Sequence, residues 1–159
     1  MRALIQRVSQ ASVTIDHKET AAIGRGLLIL LGIGTDDTSA EVQWLARKIA
    51  RMRIFPDEQN QMNKDIQEIQ GEMLVVSQFT LFADTQKGNR PSFFEAAKTD
   101  EAIPRYEEFL QKIEHLTGRA PAHGRFAADM QVALINDGPV TILIDSQKSI
   151  KETSSKTDS

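Results

Sequence analysis

The sequence predicts an α+β protein, with a mixed or antiparallel sheet and two main helices packed against it. Three observations carry that reading. Runs of β-branched and aliphatic residues of strand character occur at both ends and in the middle of the chain, two other segments place apolar residues at helical spacing, and the two kinds alternate with no clear linker. At 159 residues the chain has the length of one domain, enough to bury about two-thirds of its unfolded surface without a covalent staple.

Taken in order, residues 2 to 16 read as two short strands, RALIQRV and ASVTID, in near period-2 alternation. GLLILLGIG is a continuous apolar run bounded by glycines, the pattern of a strand buried on both faces. TSAEVQWLARKIARMRIF opens with Thr38 and carries Glu41 three residues later, a capping box, then sets Val42, Leu45, Ile49 and Met52 on one face of a helix whose outer face is basic. EMLVVSQFTLF reads as a strand and PSFFEAAK as a short helix. EAIPRYEEFLQKIEHLTG reads as a longer helix, with Tyr106, Phe109, Leu110, Ile113 and Leu116 inward and Gly118 as its stop. Phe126, Ala128, Met130, Val132 and Leu134 alternate along a last strand, and PVTILID is expected to pair back against it after the Asp137-Gly138 turn signal. The ordered unit is expected to span residues 1–146. The polar, lysine- and serine-rich segment 147–159 is expected to be disordered.

Composition narrows the function. There is no cysteine, hence no disulfide framework, thiol nucleophile or zinc-thiolate site, and a reducing cytoplasm is the natural location. No leader-like apolar core and no run long enough to cross a membrane is present, so a soluble protein with no membrane partner is expected. The formal net charge of −3 argues against a polyanion binder that relies on total charge, so any nucleic-acid contact must be local. GIGTDD begins like a dinucleotide loop, but its sixth position is Asp37 rather than Gly, and no phosphate-binding GxxxxGK[ST] exists. His17, His115 and His123 lack metal-ligand spacing, and there is no GxSxG elbow. The expectation is a site with neither metal nor cofactor and without obvious acid-base machinery.

Two segments carry more than a fold requires. In VVSQFTLFAD the polar residues Ser77, Gln78 and Thr80 interrupt an apolar strand. In NDGPVT, Pro139 follows Gly138 where a plain hairpin would not place it, because Pro offers no N–H to a ladder. Each has a bland reading, a half-exposed strand and a strand-initial proline. Together with IQRVSQASVTID, RIFPDE, KGNRPSF and FAADMQV, and in this order over about residues 1–145, they resemble the D-aminoacyl-tRNA deacylases, whose two signature motifs are SQFTL and NDGPVT.

The resemblance implies a barrel-like homodimer with two active sites at the subunit interface, acting on the 3′ end of D-aminoacyl-tRNA. It implies hydrolysis of the ester to the tRNA as chiral proofreading in translation, with Ser77, Gln78, Phe79 and Thr80 as catalytic residues. Backbone N–H groups around Gln78 and Phe79 would hold the oxyanion, and Thr80 would line the pocket near the scissile carbonyl. It further implies a cis Gly138-Pro139 bond inserted into the partner's pocket, steadied by Arg7, with Asn136 also on the substrate side and Phe126, Ala128 and Met130 as pocket wall. An L-amino acid would be excluded by the Gly138 and Pro139 carbonyls, and glycine accepted to some degree. Ala127 stands where the family usually has Gly. Two other classes remain open: a non-catalytic RNA-associated dimeric module using Arg47, Lys48, Arg51 and Arg53, and an esterase acting on free D-amino-acid esters.

Overall fold

In the computed structural model, which describes residues 1–147, Arg2–Ile15 forms one long strand, β1, from which the sheet is built outward. A two-residue turn, Asp16 and His17, both at positive φ, leads into β2 (Lys18–Ile23), and β3 (Gly26–Gly32) follows. Both pair antiparallel with the same edge of β1, β3 along Arg2–Val8 and β2 along Ala11–Ile15. After α1 (Ser39–Ala50) and a small ladder of β4 (Phe55–Pro56) with β5 (Met62–Lys64), the chain returns as β6 (Glu72–Ser77), parallel to β3. Then come α2 (Thr99–Thr117), the short β7 (Ala122–His123), parallel to β6, and β8 (Gln131–Asp145). The result is a nearly closed, barrel-like mixed sheet with two helices, an α+β fold.

The helices follow their end signals. Thr38 and Glu41 form the capping box, and α2 ends at Gly118 in the left-handed region at φ 70°. Each helix turns its apolar face to the sheet: Val42, Leu45 and Ile49 from α1 and Tyr106, Phe109 and Ile113 from α2 meet Ile5, Leu27, Ile29 and Val75. On the other face of β3 and β6, Leu28, Leu74 and Val76 join Val8, Val13 and Ile15 in a second core. Burial on both faces is the reason β3 reads as an unbroken apolar run. Asp37 of GIGTDD is buried, where it pairs with the Met1 amino group and accepts from Gly34 N at 2.6 Å.

Five expectations are corrected. The last strand begins at Gln131, and Phe126, Ala128 and Met130 lie in the turn and extended segment before it. RALIQRV and ASVTID are one strand, and the break between them is a bulge at Ser9, which lets β1 bend without ending. SQFTLF leaves the sheet after Ser77 and closes into a 3₁₀ turn over Phe79–Phe82. PSFFEAAK is not helical. Its backbone instead bridges antiparallel to the residues just beyond β3, with Thr35 N donating to Glu95 O at 3.1 Å and Ala97 N to Ile33 O at 2.9 Å. PVTILID does not fold back on the strand before it: both halves of β8 pair with β1, Gln131–Asn136 against Thr14–Val8 and Thr141–Asp145 against Gln6–Arg2. The expected tail falls almost wholly on 148–159, outside the described residues. Among the described residues no helix is long and apolar enough to cross a membrane.

Candidate active site

The carboxyl ends of the parallel strands β3 and β6 open into a cleft of about 600 Å³. This end of a parallel pair is where orphan backbone groups and side chains converge with no further ladder to satisfy them. Its floor is Leu31, Ile33 and Val76. Ser77, Gln78 and Phe79 form one wall, and Phe126, Ala128 and Met130 the other. A single acceptor holds the two walls together. The carbonyl oxygen of Val75 takes the Tyr106 hydroxyl at 3.1 Å and the Gly124 N–H at 3.1 Å, tying α2 and the 124–130 segment to β6. Tyr106 is buried, which pushes its phenol above the ordinary value of 10.0 and keeps it a neutral donor. Its ring also meets Phe126 edge to face, centroids 5.5 Å apart.

At Gln78 the chain turns sharply, and the turn decides which N–H groups are free for chemistry. Gln78 N donates to Leu31 O at 2.8 Å, so it cannot serve an oxyanion. The next two donors, Phe79 N and Thr80 N, open the 3₁₀ turn, whose first N–H groups have no partner within it. Of the donors expected around Gln78 and Phe79, Gln78 N is thus committed to the sheet, and Phe79 N and Thr80 N are the next two along the chain. Thr80 does not line the cleft; it sits exposed on the turn, and its hydroxyl accepts a hydrogen bond from Gln78 Nε2. Among the described residues no three His, Asp or Glu side chains gather to hold a metal.

The second motif lies apart from this cleft. None of residues 136–140 lines it. In β8, Asn136 pairs with Val8 and Thr141 with Gln6, so four residues, Asp137 to Val140, stand opposite Arg7 alone. The excess forms an exposed tip whose base Asn136 closes: its Oδ1 accepts from Val140 N at 2.8 Å and its Nδ2 donates to Thr141 Oγ1 at 3.0 Å. Arg7, nearly buried, donates from Nε to Asp137 O at 2.8 Å and from Nη1 to Ile54 O at 2.6 Å. The Gly138-Pro139 bond is cis. Gly138 sits at φ 151°, and a Cβ there would come within 2.8 Å of Val140 N, so the tip has room for no side chain at this position. Two separate sites thus carry the two signatures, SQF in the cleft and NDGP on the tip, within a chain that matches the D-Tyr-tRNA(Tyr) deacylase profile over residues 4–145.

The chain belongs to that family. It is 59% identical over 147 residues to the D-aminoacyl-tRNA deacylase of Cytophaga hutchinsonii, covering 92% of this chain and 98% of that one. Among solved structures, one named c-Myc DNA Unwinding Element Binding Protein superposes with a TM-score of 0.87 at 42% identity, over 91% of this chain and 98% of that one. Another, described as a probable eukaryotic D-amino acid tRNA deacylase, shares the fold at a TM-score of 0.80 and 17% identity, with the same coverage.

Within the deacylase family framework, Ala127 has a physical meaning. It adopts φ 59°, a left-handed conformation that glycine takes at no steric cost and alanine does not. Sequence reading missed Phe93, Lys98 and Asp129, which also line the cleft. Phe93 meets Phe79 edge to face at 5.1 Å. The RPSF motif was the available signal, obscured by its assignment to a helix.

Proposed function

We propose that the protein hydrolyses the ester of D-aminoacyl-tRNA in a crossed dimer, each cleft being completed by the Gly138-Pro139 tip of a second copy. The observation that carries this reading is the separation of cleft and tip: one chain holds both signatures, and its own tip residues do not line its cleft. The outer edge of β8 supports it. Beyond β1 this strand has no ladder partner among the described residues, and Ile135 and Leu143, about half exposed, flank the tip on either side.

In the completed site a water oxygen attacks the ester carbonyl. The bond to the ribose 3′ oxygen breaks, and the proton passes to that oxygen with help from the adjacent 2′ hydroxyl. The protein supplies orientation and two N–H donors, from Phe79 and Thr80, aimed at the developing oxyanion, which suffices for an ester already activated relative to an amide. Direct attack by water is preferred to a Thr80 nucleophile. The hydroxyl already accepts a bond from an amide donor, the opposite of what a general base provides. The Gly138 and Pro139 carbonyls would occupy the space an L side chain needs and leave a D side chain facing solvent, so discrimination is made by backbone and extends across D-amino acids. Glycine, with nothing to exclude, enters as a slower or weaker substrate. The setting is the cytoplasm, where tRNA is charged.

The non-catalytic RNA-associated module is a second reading, favoured by the cations along α1. One experiment separates them: release of D-tyrosine from charged tRNA by the purified protein, with L-tyrosyl-tRNA left intact. No turnover on either substrate would leave the binding module standing. Equal turnover on D-tyrosyl-tRNA and on a simple D-tyrosine ester would point to an esterase indifferent to RNA.

A further inference from the structure

We infer that the groove along the C-terminal end of α1, lined by Trp44, Arg47, Lys48, Arg51, Met52 and Arg53, docks the sugar-phosphate backbone of the tRNA beside the tip. The inference rests on the proposed hydrolysis of aminoacyl-tRNA and assigns the part of the substrate that the cleft does not read.

The groove encloses about 500 Å³ with half-buried Trp44 and Met52 as its apolar part and four cations around it. None of the four forms an ion pair among the described residues, whereas Arg2, Arg7, Arg105, Arg119 and Arg125 each have a carboxylate within 4 Å. A chain with formal charge −3 thus keeps a concentrated set of unneutralised cations on one face. Arg47 and Lys48 in the last turn also complement the helix dipole, but that need ends with the helix. Arg51 is the cap, and Arg53 lies beyond it, its guanidinium held by Asn63 O at 2.7 Å and Asn63 Oδ1 at 2.8 Å. The remaining N–H groups of that fork suit a phosphate, which guanidinium recognises by paired donors.

Position supports the same occupant. Arg53 precedes Ile54, whose carbonyl receives Arg7 Nη1, and the same guanidinium holds Asp137 at the base of the tip. Groove and tip are therefore joined through one side chain. A duplex lying in the groove has its end delivered where the tip enters the cleft of the second copy. A dispersed positive surface would bind RNA without register; this one fixes the backbone close to the reacting ester.

The test compares Lys48→Gln with Arg51→Gln in one protein against a charge-matched control, Lys18→Gln with Lys112→Gln, outside the groove. Both are assayed on D-tyrosyl-tRNA and on 3′-(D-tyrosyl)adenosine, with thermal melts to show that both remain folded. The groove variant is expected to raise KM for the tRNA by about ten- to a hundredfold at 0.1 M salt and to reduce the slope of log(kcat/KM) against log salt by about 2. Its kcat and its activity on the adenosine ester should match the wild type. An unchanged KM and slope, an equal loss on both substrates, or an equal loss in the control would overturn the inference while leaving the proposed reaction intact. Failure of the wild-type protein to release D-tyrosine from tRNA would remove the proposed reaction, and the inference with it.

Discussion

Arg7 Nε lies 2.8 Å from the carbonyl oxygen of Asp137, the residue that begins the exposed tip, and the arginine stands alone opposite four residues of β8. A guanidinium can hold this carbonyl and that of Ile54 at once because its donors diverge from one rigid plane. Arg7→Lys keeps the charge and loses the second bond. Its kcat/KM on D-tyrosyl-tRNA should fall by at least about tenfold, and its unfolding free energy by roughly 1.5–3 kcal/mol, the worth of one hydrogen bond to a charged group. Steady-state kinetics and denaturant titration check both.

The proposed crossed site predicts rescue between two inactive proteins. Gly138→Ala places a Cβ against Val140 N and spoils the tip, while Ala128→Phe fills the cleft. In a mixed dimer one site inherits both lesions and the other neither. Co-refolding at equal ratio should restore about a quarter of wild-type activity, since random pairing makes half the dimers mixed. Absence of recovery with subunit exchange demonstrated would place tip and cleft of one chain in the same site.

Thr80→Ala should keep kcat within about tenfold of wild type, because the hydroxyl accepts from Gln78 Nε2 and faces no base. Mass spectrometry of a quenched reaction should show no acylated protein. A loss beyond about a thousandfold in a folded variant would make Thr80 the nucleophile.

Ala127→Gly should raise stability by about 0.5–1 kcal/mol. Relief of the left-handed strain, about 1–2 kcal/mol for a residue bearing a Cβ, outweighs the added freedom of glycine in the unfolded chain. The readout is the urea midpoint at unchanged m-value.

A pH effect follows from the cap of α1. Burial acts to raise the Glu41 pKa, but hydrogen bonds from the Thr38 hydroxyl and N–H prevail and hold the carboxyl below its ordinary 4.5. A depressed folded pKa means the stabilisation is present above the unfolded value and is lost as pH falls through the folded one. Below about pH 4.5, therefore, the melting temperature of wild type should decline more steeply than that of Glu41→Gln, which keeps the box without titrating.

Helix ends and buried strands were legible in the sequence because they depend on near neighbours: Thr38 with Glu41, Gly118 after an apolar stripe, the run from Leu27 to Leu31. The turn at Gln78 was not, since neither Gly nor Pro marks it. It is enforced by the bond of Gln78 N to Leu31 O, a partner distant in the chain. PSFFEAAK has helix-forming alanines, yet the open edge at Ile33 and Thr35 claims its backbone. For NDGPVT the local signal was read as a hairpin, although β1 is long enough to pair with both sides of it. The motifs pointed to residues of cleft and tip; that Thr80 stands outside the cleft and that Phe93 and Asp129 line it could be seen only in the folded chain.

The four-against-one match at Arg7 also restricts how this protein can change over generations. Side chains of a strand alternate between faces, so removing or adding one residue within Asp137–Val140 would slip the remainder of β8 by a single position. Ile142 and Ile144, which pack on the first core, would exchange places with exposed Leu143. Most exposed segments tolerate drift in length. Here the length of the tip is coupled to the register of the sheet beneath, so a change of length at this point bears on the core as well as on the surface.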